Sequence, residues 1–72
     1  MSDELTNRIR RLRFDAGEIT QQELANRVGV TRQTILAIEA GKYAPSLTLA
    51  FRIARFFSTT VEDVFQFNQE MK

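Results

Sequence analysis

Between Thr20 and Gly41 two short apolar-periodic segments are separated by only about three residues around Gly29, and that brevity constrains the fold more than any other feature. The first segment places Leu24, Ala25 and Val28 on one side, and the second places Ile35 and Ile38, the recurrence of amphipathic helices. Thr20-Gln21-Gln22-Glu23 opens the first as a capping box, in which hydroxyl and carboxylate satisfy each other's orphan backbone donors. Ile19 and Leu24 are placed as a hydrophobic staple across it. Thr31 caps the second helix and Gly41 stops it. Two helices on so tight a turn cannot lie antiparallel and must cross steeply. Ala25 is small because the second helix passes close beside it, and Gly29 meets a turn's need for a positive φ.

The flanking chain continues the helical pattern. Leu5, Ile9, Leu12 and Ala16 follow i, i+4, i+7, i+11 and predict a helix ending at Gly17, with Ser2, Asp3, Thr6 or Asn7 as its cap. Ser46 caps a helix over about residues 47–57, and Thr60, three residues before Asp63, caps a short one. Val64-Phe65-Gln66-Phe67-Asn68 alternates apolar and polar, the period of a strand. The fold class is all-α, five helices with a short C-terminal β-strand, in a single domain over residues 1–72.

Composition removes whole classes of chemistry. The chain has neither cysteine nor histidine, which excludes disulfides, thiolate or imidazole metal sites, thiol nucleophiles and histidine acid–base catalysis. Glu62 and Asp63 sit side by side without a nucleophile or metal partner and serve the dipole of a helix start. No enzyme, cofactor or small-molecule ligand is expected. No apolar run approaches a membrane span and no signal-peptide pattern is present, so the expected location is cytoplasmic. At 72 residues a lone core is thin, and self-association is the staple left. Net charge is +1 overall. Residues 1–57 carry nine basic against six acidic side chains, whereas residues 58–72 carry one against three. A mildly basic body is compatible with nucleic acid without requiring it.

The helix after Gly29 has an unusual outer face. At about 100° per residue, Ile35 and Ile38 face the core while Gln33, Leu36, Ala37 and Ala40 cluster opposite. A solvated helix normally carries lysine or glutamate there. Small residues permit close approach, and Arg32 and Gln33 stand at the helix start, the part that enters a DNA major groove in helix-turn-helix geometry. Arginine suits guanine O6/N7, glutamine suits adenine N6/N7, and Leu36 or Ala37 suits a thymine methyl.

The stretch TQQELANRVGVTRQTILAIEAGK, Thr20–Lys42, resembles the Cro/C1-type (XRE) helix-turn-helix family of prokaryotic transcriptional regulators, through Gln21, Ala25, Gly29-Val30, Ile35, Ile38, Glu39 and Gly41. Leu12-Arg13, Tyr43-Ala44-Pro45-Ser46 and Val61-Glu62-Asp63-Val64-Phe65 extend the resemblance over most of the chain. It looks most similar to the compact dimeric repressors typified by the cytolysin repressor. The resemblance implies a five-helix, lambda-repressor-like domain that binds double-stranded DNA on the nucleoid. It places Gln21 at a phosphate beside a helix N-terminus, makes Thr31, Lys42 and Tyr43 further backbone contacts, and pairs Arg13 with Glu39 in a partly buried salt bridge. Ser46 is a weaker candidate because capping occupies its hydroxyl. Arg10 and Arg11 read as solvated charges.

The helix over residues 47–57 is too apolar for one face. Leu47, Ala50, Ile53, Ala54 and Phe57 form the core stripe, and Leu49, Phe51 and Phe56 widen it to roughly 220°. With Phe65 and Phe67 on the strand, this surplus predicts a two-fold homodimer whose elements lie within about residues 47–68, with Phe51, Phe56, Phe65 and Phe67 at the interface. The strand edge pairs either across the dyad or with residues near Leu5–Thr6. Two recognition helices then read successive grooves about 34 Å apart on a palindromic operator, as a repressor does. The rival expectation is a protein-interaction module, such as an antitoxin or a partner of another regulator. Phe14 lies opposite the apolar face of its helix, and neither expectation uses it.

Overall fold

The computed structural model describes residues 4–68. Five helices are flanked by two short strands, in the order β1 (Glu4–Asn7), α1 (Ile9–Asp15), α2 (Gln21–Val28), α3 (Arg32–Glu39), α4 (Leu47–Phe56), α5 (Val61–Val64) and β2 (Phe65–Asn68). The four hydroxyl caps all form: Thr20, Thr31, Ser46 and Thr60 each accept the amide three residues on. Each satisfies one donor that its helix start leaves orphaned. At Thr20 the hydroxyl arm of the capping box is present at 3.0 Å, with no return hydrogen bond from the Glu23 side chain. Gly29 ends α2 at φ +82°, and the amides of Gly29 and Val30 both return to the Ala25 carbonyl. That leaves Gly29–Thr31 as the whole connection between α2 and α3.

The first segment departs from its expected helix. Leu5 lies in β1, which pairs antiparallel with β2 in the register Leu5↔Phe67 and Asn7↔Phe65. Helix α1 therefore begins only at Ile9. The edge of β2 is paired with the residues near Leu5–Thr6, one of the two partners the sequence allowed. Tertiary pairing outweighs the local helical period, because β1 supplies backbone partners that a terminal strand otherwise lacks. Asn7 fixes the junction: its Oδ1 accepts the Ile9 amide at 3.2 Å and its Nδ2 donates to the Ile38 carbonyl at 2.9 Å. Ala16 caps α1 and is exposed rather than facing the core.

The centre of the fold consists of Ile9, Leu24, Ile35, Ile38, Ile53 and Val64, all fully buried. On α4 the buried arc runs through Leu49, Ala50, Ile53 and Ala54. Leu47, placed in the core stripe by the sequence, is instead 71% exposed, and Leu49, counted as surplus, is buried. The arc spans about 160° around Ile53 and Phe57, and Leu47 and Phe51 lie just beyond its edge at 100° per residue. Phe65 is buried, and Phe56 and Phe57 pack edge-to-face at 5.0 Å against the core. Phe65 therefore packs within the protomer core, and Phe56 is half-buried against the same core.

Candidate nucleic-acid interface

The pair α2–α3 is positioned by an ionic clasp. Arg13 on α1 forks onto Glu39 at the end of α3, with Nε to Oε2 at 2.7 Å and Nη2 to Oε1 at 3.1 Å. Arg13 Nη1 also donates to the Ile19 carbonyl at 2.9 Å, and Gln21 Nε2 donates to Glu39 Oε1 at 3.2 Å. The side chains of Arg13 and Glu39 are only 15% and 9% exposed. One carboxylate thus ties α1, the start of α2 and the end of α3 together, through bidentate, charge-assisted bonds. Asn7 holds the same end of α3 through Ile38.

The outer surface of α3 stands on that frame. Arg32 and Gln33 occupy its first turn, exposed, and neither side chain makes a hydrogen bond to another described residue. Leu36 is 45% exposed on the same face, while Ala37 is half-buried beside it. The Thr31 hydroxyl accepts the Thr34 amide at 3.2 Å and lies 3.1 Å from the Thr34 hydroxyl. Lys42 and Tyr43 are exposed in the loop between α3 and α4. Tyr43 borders an open cavity of about 460 Å³ shared with Leu5, Ile38, Pro45 and Phe65.

The structure thus brings Gln21, Thr31, Arg32, Gln33 and Leu36 to one helix pair and sets Lys42 and Tyr43 on the loop that follows. Two features were absent from the sequence reading. Gln21 is half-buried and tethered to Glu39, and Asn7 bridges β1 to α3. Their partners lie 18 and 31 residues away, so no local period signals them. Chemically the surface offers hydrogen-bond donors and one apolar contact on a rigid helix, the means of reading base edges. Among the described residues no cluster of acidic side chains is spaced to hold a metal ion, and no helix is long and apolar enough to cross a membrane.

Comparison with known proteins agrees with this geometry. A helix-turn-helix family model matches residues 9–64. An uncharacterized HTH-type transcriptional regulator of Archaeoglobus fulgidus is 52% identical over 66 residues, covering 92% of this chain and 93% of the relative. Another from Methanocaldococcus jannaschii is 56% identical over 52 residues, 72% of this chain and 79% of the relative. The cryptic phage CTXphi transcriptional repressor RstR of Vibrio cholerae is 32% identical over 59 residues, 82% of this chain and 52% of that protein.

Proposed function

The chain belongs to the Cro/C1-type helix-turn-helix family and is a transcriptional regulator with a DNA-binding domain; from that premise we propose that it is a repressor that binds a palindromic operator as a homodimer. Helix α3 enters the major groove. Arg32 reads guanine, Gln33 reads adenine, and Leu36 with Ala37 contacts thymine methyls. The free amides at the start of α2 receive a phosphate beside Gln21, and Thr31, Lys42 and Tyr43 hold the backbone on either side. The observation that carries this reading is the pair Arg32 and Gln33: exposed at the start of α3, with side-chain donors that no other described residue uses.

Repression is supported by the likeness to RstR, a transcriptional repressor. It needs only occupancy of the operator, in the cytoplasm and on the nucleoid. The dimer is supported by an apolar strip that the protomer leaves uncovered. Leu47 is 71% and Phe51 49% exposed one turn apart on α4, beside a groove of about 480 Å³ shared with Ala54, Val61 and Glu62. Phe67, 58% exposed, and its cross-strand neighbour Leu5 add a second apolar area on the sheet. A second copy covering the α4 strip relates two α3 helices by a dyad, with a separation of about 34 Å for successive grooves.

The test is selection of bound sequences from a random duplex pool, repeated with the Arg32→Ala, Gln33→Ala variant. An enriched palindrome that vanishes or changes in the variant is expected. No enrichment at low salt, with both proteins folded, refutes the operator reading and directs the search to protein partners.

A further inference from the structure

The outer face of α1 plays no part in the clasp or in α3, yet it carries an exposed aromatic ring. Phe14 is 61% exposed. It lines an open hollow of about 450 Å³ with Asn7, Arg8, Arg10 and Arg11. Arg10 and Arg11 precede it by four and three residues, the spacings that make helical neighbours. Arg11 is engaged with Asp15 at 3.1 Å. Three guanidiniums line the hollow beside an aromatic ring that the core does not use.

We propose that this face docks a segment of a partner protein that carries carboxylates around an apolar side chain. The ring supplies a rigid apolar anchor of the kind that concentrates binding energy at interfaces. The arginines supply charge complementarity and bidentate geometry for carboxylates. The ring alone would be an ordinary exposed side chain; the three arginines that line the hollow beside it are what give the face a charge for a partner to match.

Nucleic acid is the less suitable occupant because of where the face points. The opposite side of α1 buries Ile9 and sends Arg13 to Glu39 on α3. On the α1 wheel Phe14 and Arg11 fall opposite Ile9 with Arg10 beside them, off the face that carries Arg13 to Glu39. The consequence is a face that stays accessible while α3 is occupied, so that a partner can join the DNA-bound regulator. The proposal concerns a surface that α3 does not use and stands independently of the operator reading.

The experiment is selection from a phage-displayed random peptide library on the immobilised full chain, counter-selected on a Phe14→Ser, Arg10→Glu variant. Peptides synthesised from the enriched family are then titrated into the ¹⁵N-labelled chain. We expect acidic peptides with an aromatic or leucine residue, amide shifts concentrated on residues 8–15, and a loss of affinity of roughly tenfold or more for Phe14→Ser alone. Both positions are exposed, so thermal melts should coincide with wild type. The proposal is overturned if no acidic family is enriched, if the shifts map elsewhere, or if Phe14→Ser binds as tightly as wild type. A Phe14→Ser variant that instead loses affinity for a random-sequence duplex would reassign the face to nucleic acid.

Discussion

Removing the Glu39 carboxylate should cost the domain a large part of its stability. In Glu39→Ala the Arg13 guanidinium keeps only the Ile19 carbonyl, after losing bonds of 2.7 and 3.1 Å, and the Gln21 amide loses its acceptor. With side chains 15% and 9% exposed, water cannot fully replace the lost partner. Breaking one half of a buried pair costs about 3–5 kcal/mol, far above the 1 kcal/mol ceiling typical of surface pairs. A chain of this length has a total stability of roughly 4–11 kcal/mol, so the variant loses about a quarter or more. In urea, with a slope of about 1 kcal/mol per molar, the midpoint should fall by about 3 M, and the melting temperature by roughly 12 °C or more. Circular dichroism measures both. Arg13→Met with Glu39→Met should recover most of the loss, because it removes the stranded charge together with its partner. A Glu39→Ala cost under about 1 kcal/mol would refute the clasp as a buried pair. So would a double variant as unstable as the two single losses added.

Three further outcomes follow from other parts of the molecule. Gly29→Ala should cost about 1–2 kcal/mol in thermal melts. Its φ is +82° and the nearest atom to an added Cβ is Arg52 Nη1 at an ordinary 3.5 Å, so the penalty is torsional rather than steric. Leu47→Glu with Phe51→Glu should leave the far-UV circular dichroism unchanged and convert a sedimenting dimer to monomer. A wild-type chain already monomeric at ~100 μM would sink the dimer, since a functional interface should hold well below that concentration. Lys42→Ala should weaken duplex binding about uniformly across sequences and reduce the log–log salt slope by about one, measured by fluorescence anisotropy; a sequence-dependent loss would make Lys42 a reader instead.

The parts of this fold that were legible in the sequence are those whose cause is local. A hydroxyl at Thr20, Thr31, Ser46 or Thr60 caps the amide three residues on, whatever the rest of the chain does. Gly29 was legible for the same reason: the turn sets its own φ. Misreadings arose where distant segments compete with local preference. Leu5 fits the period of α1, yet pairs with Phe67, more than sixty residues away. Leu47 fits the stripe of α4, yet lies beyond the elements that cover Ile53, while Leu49 is reached by them. In the candidate interface, the exposure of Arg32, Gln33 and Leu36 followed from the wheel of one helix. The tether from Gln21 to Glu39 and the bridge from Asn7 to Ile38 depend on how three elements meet, which no single period encodes.

Those tethers bear on how the proposed site works, because they separate side chains that the fold has fixed from side chains it leaves unoccupied. Helix α3 is held at its start by the Thr31 cap, along its inner face by Ile35 and Ile38, and at its end by Glu39 and Asn7. Constrained at both ends, the helix offers Arg32 and Gln33 from a fixed backbone, so a duplex has only side-chain rotamers to order on binding. Thr31 and Gln21 already spend hydrogen-bonding capacity inside the molecule, which suits them to positioning rather than selection. Under the proposed operator reading, discrimination between sequences would rest on Arg32 and Gln33, whose side-chain donors no other described residue uses. A wrong base would leave those donors desolvated and unpaired, and that cost is what would set one operator apart from another.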